Sequence, residues 1–375
     1  MTGEGKLGIV LTGGGARAAY QVGFIRCLAK RVPELHCPII TGVSAGAINA
    51  VFLGARTGSL EDAADELTRL WSGLSPERVF DIQAWKIART ALRWGFGLIS
   101  GGHSGGEAMR GFLDTEPLRR LLEAALEDDE GRIPGIAANL EAGRLDSLAV
   151  TTLKYSTGQT VTWVQGHEIE SWARPQRLGV QTEIRAEHIM ASSALPLVFP
   201  AQQLDDGWYG DGGVRFLTPL APAIHLGADR VLAISTRYDR SIQEASRPAV
   251  SGYPPPAQIV GTMLNAVFLD AIDQDGQRLE RINRLLEGRT EGNLKPTRLL
   301  ILRPSIDLGR LAGEYEERLP KAFRFMTRGL GTRKTDSPDF LSLLMFQSDY
   351  LRRLIEIGEA DAEARFDEIQ QLIGT

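Results

Sequence analysis

Histidine and cysteine are scarce in this chain of 375 residues, with five of the first and two of the second. The cysteines, Cys27 and Cys37, show no metal-ligand spacing and suit a reducing compartment. No apolar run approaches the roughly 18 to 20 residues that would span a bilayer. The N-terminal MTGEGKLGIV has no basic region followed by a long apolar run, so no signal peptide is expected. Positive charge is not in excess either: the net charge of −5 argues against a general attraction to nucleic acid. No cluster of His, Cys and acids suggests a metal, and no cofactor is expected. The expectation is a cytoplasmic protein, with membrane contact through a local patch left open.

What is present is glycine, 41 residues of it, in a chain that is 43% apolar and 24% charged. The length allows one large domain or two. Leu7 to Leu11 reads as a buried strand. A glycine turn follows, and from Ala16 the spacing becomes helical, with Tyr20, Phe24 and Leu28 on one side. Residues 37–53 repeat the plan as CPIIT, GVSAG and AINAVFLGA. Two strand-turn-helix units in succession predict a parallel sheet with helices on its faces. Residues 147–165 predict two strands around Ser156-Thr157-Gly158. A short helix, two short strands, a glycine loop, a helix opening at Pro219 and a strand at RVLAIS are expected next. The Pro-rich stretch after Ser235 reads as a linker or surface loop, and the remainder as mostly helical.

Three turns could carry chemistry. In GGGAR, residues 13–17, backbone N–H groups converge on a helix N-terminus, which suits a phosphate, an oxyanion or mere close packing. A dinucleotide site would want glycine where Ala18 stands and an acid ending the second strand; that strand ends in Thr41. In GVSAG, residues 42–46, Gly42 and Gly46 flank Ser44 as in a nucleophile elbow, or as in a small-residue packing turn.

An elbow serine needs a base. His225 is the one histidine in the order expected of an α/β-hydrolase, yet it stands late in an expected helix, where a capping or surface role is ordinary. His36, His103, His167 and His188 lie in segments that do not look built for catalysis. Asp211, in YGDGGVRF, opens a turn with Gly212 and Gly213. There a partly desolvated carboxylate could act as base, or the motif could be a plain Asp-Gly turn.

Taken in order, GGGAR, GVSAG and DGG at 211–213 make the chain resemble the patatin-like phospholipase family. ASSALPLVFP, residues 191–200, is similar to a further block of that family preceding the aspartate turn. The resemblance covers roughly residues 7–237 and departs from the family at Ala18, where glycine is usual; altered substrate preference is the expectation. It implies a three-layer α/β/α fold with a mainly parallel central sheet over 7–237; the sequence of residues 238–375 reads as a mostly helical extension packed on it.

The resemblance also implies a lipid acyl hydrolase of phospholipase A or lysophospholipase type. Ser44 would be the nucleophile and Asp211 the base, with Gly13, Gly14, Gly15 and Ala16 forming the oxyanion loop and no cofactor required. Arg17 could contact a substrate anion, or order the loop by hydrogen bonds. A non-phospholipid acyl ester or thioester, acyl transfer, or a non-catalytic lipid-binding module are the competing readings. WKIARTALRWGFGLISG, residues 85–101, sets Lys86, Arg89 and Arg93 along one helical stripe among tryptophans; it reads as a peripheral membrane contact, a lid or a core helix. FLSLLMFQSDYLRRLIEIGEADAEARF reads as a packing helix, with a membrane or partner role as the alternative. Oligomeric state, acyl position and headgroup are not legible.

Overall fold

The computed structural model describes residues 5–81, 83, 89, 92, 111–127, 131–167, 169–292 and 294–374. Apart from Arg89 and Leu92, the segment 85–101 lies outside the described residues, and so does His103.

Ten strands form one sheet: β1 Leu7–Leu11, β2 Ile39–Val43, β3 Ser147–Lys154, β4 Gln159–Gly166, β5 Trp172–Arg174, β6 Arg177–Gln181, β7 Gln202–Leu204, β8 Gly207–Asp211, β9 Arg230–Ile234 and β10 Arg298–Leu302. Eight of them run in the order β10-β9-β1-β2-β3-β4-β6-β5, and off this path β8 pairs with β3 and β7 with β8. From β10 to β3 every neighbour is parallel, while β4 runs antiparallel to β3. Strand alternation divides the side chains between two cores. Leu7, Ile9 and Leu11 face the larger core, which is covered by α1 Ala19–Arg31, α2 Ala45–Ala55, α3 Leu60–Ser72 and the helix Ser348–Ala364. Val10, Val231 and Ala233 face the other, under the helices Ala221–His225 and Ala271–Leu286. The three-layer α/β/α arrangement with a mainly parallel centre is thus the observed one.

One register places the candidate site. Val43, the last residue of β2, pairs with Thr151 of β3. There β2 leaves the sheet, and the vacated edge of β3 is taken by β8, with Asp211 opposite Thr152. The serine turn and the aspartate therefore meet at consecutive rungs of one strand.

Residues 238–375 supply the edge strand β10, which pairs in parallel with β9. They also cover α1. The helix Ser348–Ala364 lies so close to α1 that a Cβ on Gly23 would collide with the Ile355 carbonyl, and one on Gly358 with that of Tyr20. Backbone-to-backbone contact at two glycines leaves no room for slippage. Ion pairs of Lys30 and Arg26 with Glu359, and of Arg31 with Glu363, run along the edge of this crossing. The expected helix from Ala16 begins as a 3-10 turn, Gly15–Ala18, and becomes α-helical at Ala19. The single packing helix expected near the C-terminus is three helices: Asp339–Leu344, Ser348–Ala364 and Phe366–Ile373. Among the described residues, no helix is long and apolar enough to cross a membrane.

Candidate active site

Ser44 stands between β2 and α2 with φ 56° and ψ −135°. A non-glycine residue in this region costs on the order of 1–3 kcal/mol, and surrounding contacts must hold it there. They do. The Ser44 N–H donates to Ser192 Oγ at 2.9 Å, and Ser192 Oγ–H donates to the Thr151 carbonyl at 2.7 Å. Ser193 Oγ–H donates to the Ser44 carbonyl at 3.2 Å. The glycines of the elbow let three backbones crowd together. A Cβ on Gly46 would collide with the Leu11 carbonyl at the end of β1, and one on Gly42 would lie 2.6 Å from the Gly46 carbonyl oxygen.

Gly13 to Ala16 run directly over Ser44, so that a Cβ on Gly13 would meet Ser44 Cβ at 3.0 Å. Gly14 and Gly15 have φ of 148° and 55°. Gly15 opens the 3-10 turn, so the N–H groups at its start have no partner within the turn. Thr236 Oγ–H fixes the loop by donating to the Gly13 carbonyl at 2.7 Å. Behind it, Gln21 Nε2 donates to the Thr12 carbonyl, Asn49 Nδ2 to Gln21 Oε1 and to the Ala18 carbonyl, and Trp71 Nε1 to Asn49 Oδ1. Ala18 is fully buried with φ −65°, and it is absent from the pocket wall.

Of the two roles expected for Arg17, ordering of the loop is the one its contacts fill. Its guanidinium is buried, with Nε donating to Ser342 Oγ at 2.6 Å and Nη2 paired with Asp339 Oδ1 at 2.5 Å. It orders the loop by tying it to the helix Asp339–Leu344.

Asp211 is fully buried at the end of β8. Its N–H donates to the Ala194 carbonyl at 3.0 Å, so the ASSA segment holds both the serine turn and the aspartate strand. Oδ1 accepts from the Gly213 N–H at 2.9 Å, and Gly212 lies against the Thr151 carbonyl. Oδ2 makes no hydrogen bond of ordinary geometry to any described residue. Burial pushes the Asp211 carboxyl up to about 7, and the neighbouring Ser44 hydroxyl and the Gly213 N–H hold it below what burial alone would give. The hydroxyl and carboxylate are thus neighbours whose hydrogen bond is not closed, a common state of catalytic pairs without substrate.

Three of the described histidines are engaged elsewhere, and His167 is exposed. His225 stacks on Trp172 with ring centroids 5.1 Å apart, and desolvation together with Arg174 and Arg177 lowers its pKa. His188 Nδ1 accepts the Arg185 N–H at 3.0 Å, and burial pushes its pKa down to about 4. His36 approaches the Gly143 carbonyl. Among the described residues, no histidine lines the wall around Ser44. Among the described residues no group of His, Cys and acids could hold a metal.

Ser44 opens into an apolar pocket. Ile48, Trp71, Leu122, Leu195 and Phe199 line one part, and Phe268, Leu343, Leu344 and Phe346 close it from the C-terminal region. For Leu343, Leu344 and Phe346 the sequence held a signal, the apolar run FLSLLMF, read as a packing helix or a membrane or partner contact. Ser192 and Ser193 were visible only as part of a family block, because nothing local marks a serine as the support of another serine 148 residues away.

A comparison with curated protein sequences finds no match. Among solved structures the chain is similar to VipD from Legionella pneumophila, with 14% identity over 98% of this chain and 67% of that one and a TM-score of 0.41. It is also similar to human GIVD cytosolic phospholipase A2 in complex with methyl gamma-linolenyl fluorophosphonate, with 14% identity over 99% of this chain and a TM-score of 0.47. The chain spans 59% of the human protein's chain. The sequence model of the patatin-like phospholipase family matches residues 9–224. That match takes in the glycine loop, the serine elbow and the aspartate turn and covers more than half of the chain, which belongs to the patatin-like phospholipase family.

Proposed function

We propose that this protein hydrolyses fatty acyl esters of lipids, of phospholipase A or lysophospholipase type, with Ser44 and Asp211 as a catalytic dyad. The observation that carries this reading is a buried carboxyl with a pKa of about 7 beside a strained serine, on the floor of an apolar pocket. Ser44 Oγ attacks the acyl carbonyl while Asp211 takes its proton. The oxyanion is held by N–H groups of Gly14, Gly15 and Ala16, and the N-terminus of α2 adds a favourable dipole. Collapse of the tetrahedral intermediate breaks the ester bond, and the alcohol leaves with the proton from Asp211. Water then attacks the acyl-serine, Asp211 again takes the proton and returns it to Ser44 Oγ, and the fatty acid is released. The acyl chain lies among Ile48, Leu122, Phe199 and Phe268.

A fluorophosphonate probe should label the wild-type protein and leave Ser44→Ala unlabelled, with release of fatty acid from mixed phospholipid vesicles lost in parallel. Labelling without release from any phospholipid, but with turnover of water-soluble esters, would move the substrate to another acyl ester. Absence of labelling would leave a binding module.

A further inference from the structure

From Pro248 to Leu269 the chain has no charged residue, in a sequence that is 24% charged. This stretch contains the helix Pro256–Phe268. One side of it packs on the helix Asp339–Leu344: a Cβ on Gly261 would lie 3.3 Å from Asp339 Cβ, and Asn265 Nδ2 donates to Asp339 Oδ2 at 2.7 Å. The other side leaves Ile259, Val260 and Met263 exposed by 42%, 38% and 63%, and Tyr253 ahead of it by 91%. Single exposed apolar residues are ordinary on a protein surface, but a helix face without one charge is not.

Two further observations say what covers this face. The first is its continuity with the site. Phe268 at the end of the same helix lines the pocket and abuts Gly213 of the aspartate turn, while Asn265 reaches the oxyanion loop through Asp339 and Arg17. The second is charge. The Ala257 N–H donates to the Leu330 carbonyl at 2.9 Å, which sets the helix start beside residues 321–334, a run with five Lys or Arg and no acid. Glu317 engages Arg324, Arg328 and Arg333, whereas Lys321 and Lys334 are exposed and have no ion-pair partner among the described residues. Phe325 in this run is 83% exposed.

We propose that Ile259, Val260 and Met263, flanked by the basic run 321–334, form the surface that seats this protein on an anionic lipid bilayer. The apolar side chains enter the boundary between headgroups and acyl chains, and the basic ones meet the lipid phosphates. The inference rests on the lipid reading of the Ser44 site, and it places the bilayer next to the pocket through Phe268.

The test is cosedimentation of the full chain with vesicles of phosphatidylcholine alone and of phosphatidylcholine with phosphatidylglycerol, alongside hydrolysis of p-nitrophenyl butyrate. Wild type should pellet preferentially with the anionic vesicles. Ile259→Asp/Met263→Asp should weaken this by at least about tenfold, and Lys321→Glu/Lys334→Glu should remove the anionic preference, each basic residue contributing roughly fivefold. Both variants should hydrolyse the soluble ester as wild type does, which shows that they are folded. Equal vesicle binding by wild type and variants overturns the proposal. So does a wild-type dimer that the Asp variant converts to monomer, since the face is then an interface between copies. Intact esterase with no vesicle binding rejects the docking surface alone; vesicle binding without esterase rejects the dyad alone.

Discussion

Asp211 is the residue on which pH should act. With a carboxyl pKa raised to about 7, it is mostly protonated at pH 6 and ionised at pH 8. A base works only when ionised, so kcat/KM on a soluble ester should fall about tenfold for each pH unit below 7 and level off above it. Asp211→Asn should lower kcat by about 10²- to 10⁴-fold, while His225→Ala should leave it unchanged. Full activity in the first variant and collapse in the second would transfer the base role to His225. The same shift has a consequence for stability. A carboxyl whose folded pKa lies above its unfolded value of about 3.9 contributes stability that is fully present below pH 4 and is lost as pH rises through 7. Asparagine stays neutral throughout, so Asp211→Asn should be more stable than wild type at pH 8, by a few kcal/mol, with the difference shrinking at pH 5. Urea unfolding at the two pH values measures it; a difference that does not change with pH would contradict the burial of an ionisable Asp211.

At the scale of elements, the site depends on one segment reaching two others. The short helix Ala186–Ser192 and the residues after it bind the serine turn through Ser192 and Ser193, and bind β8 through Ala194. Ser192→Ala removes the acceptor of the Ser44 N–H and the donor to the Thr151 carbonyl. Leaving such buried groups unpaired costs about 1–3 kcal/mol each. We expect kcat to fall with KM little changed, because the strained turn loses its support while the acyl pocket stays intact. An unaltered kcat would show that the helix α2 holds Ser44 without help. The elbow itself was legible in the sequence, since Gly-x-Ser-x-Gly between an apolar strand and a helical pattern has few physical solutions. The support was not legible, because the hydrogen bond from Ser44 to Ser192 spans 148 positions and neither partner has a local signature.

At the scale of the molecule, residues 238–375 are integral to the half that carries Ser44 and Asp211. Leu343 crosses directly over Gly15, Phe268 and Phe346 close the pocket, and β10 extends the sheet. The tightest joint is the crossing of α1 with the helix Ser348–Ala364. Gly358→Val puts a side chain into the Tyr20 carbonyl and must spread the two helices, at a cost of about 3 kcal/mol or more. A loss of stability confirmed by urea unfolding should come with lost esterase activity, since α1 follows the oxyanion loop without a break. Unchanged stability would mean that the helices part easily and that the C-terminal region is an appendage.

The sequence by itself determined the parallel strand-turn-helix core, Ser44 and its elbow, the glycine loop and Asp211, because each is written as a short run of residues whose backbone demands are local. Tertiary structure alone decided that β8 takes over the β3 edge where β2 leaves it, which is what brings Asp211 to Ser44. It also decided that Arg17 turns into the core toward Asp339, that β10 joins the sheet, and that the acyl pocket is closed by the C-terminal helices. These outcomes depend on pairings between residues far apart in the chain, and no local spacing or composition encodes which distant partner a buried arginine, a bare strand edge or an apolar run will find.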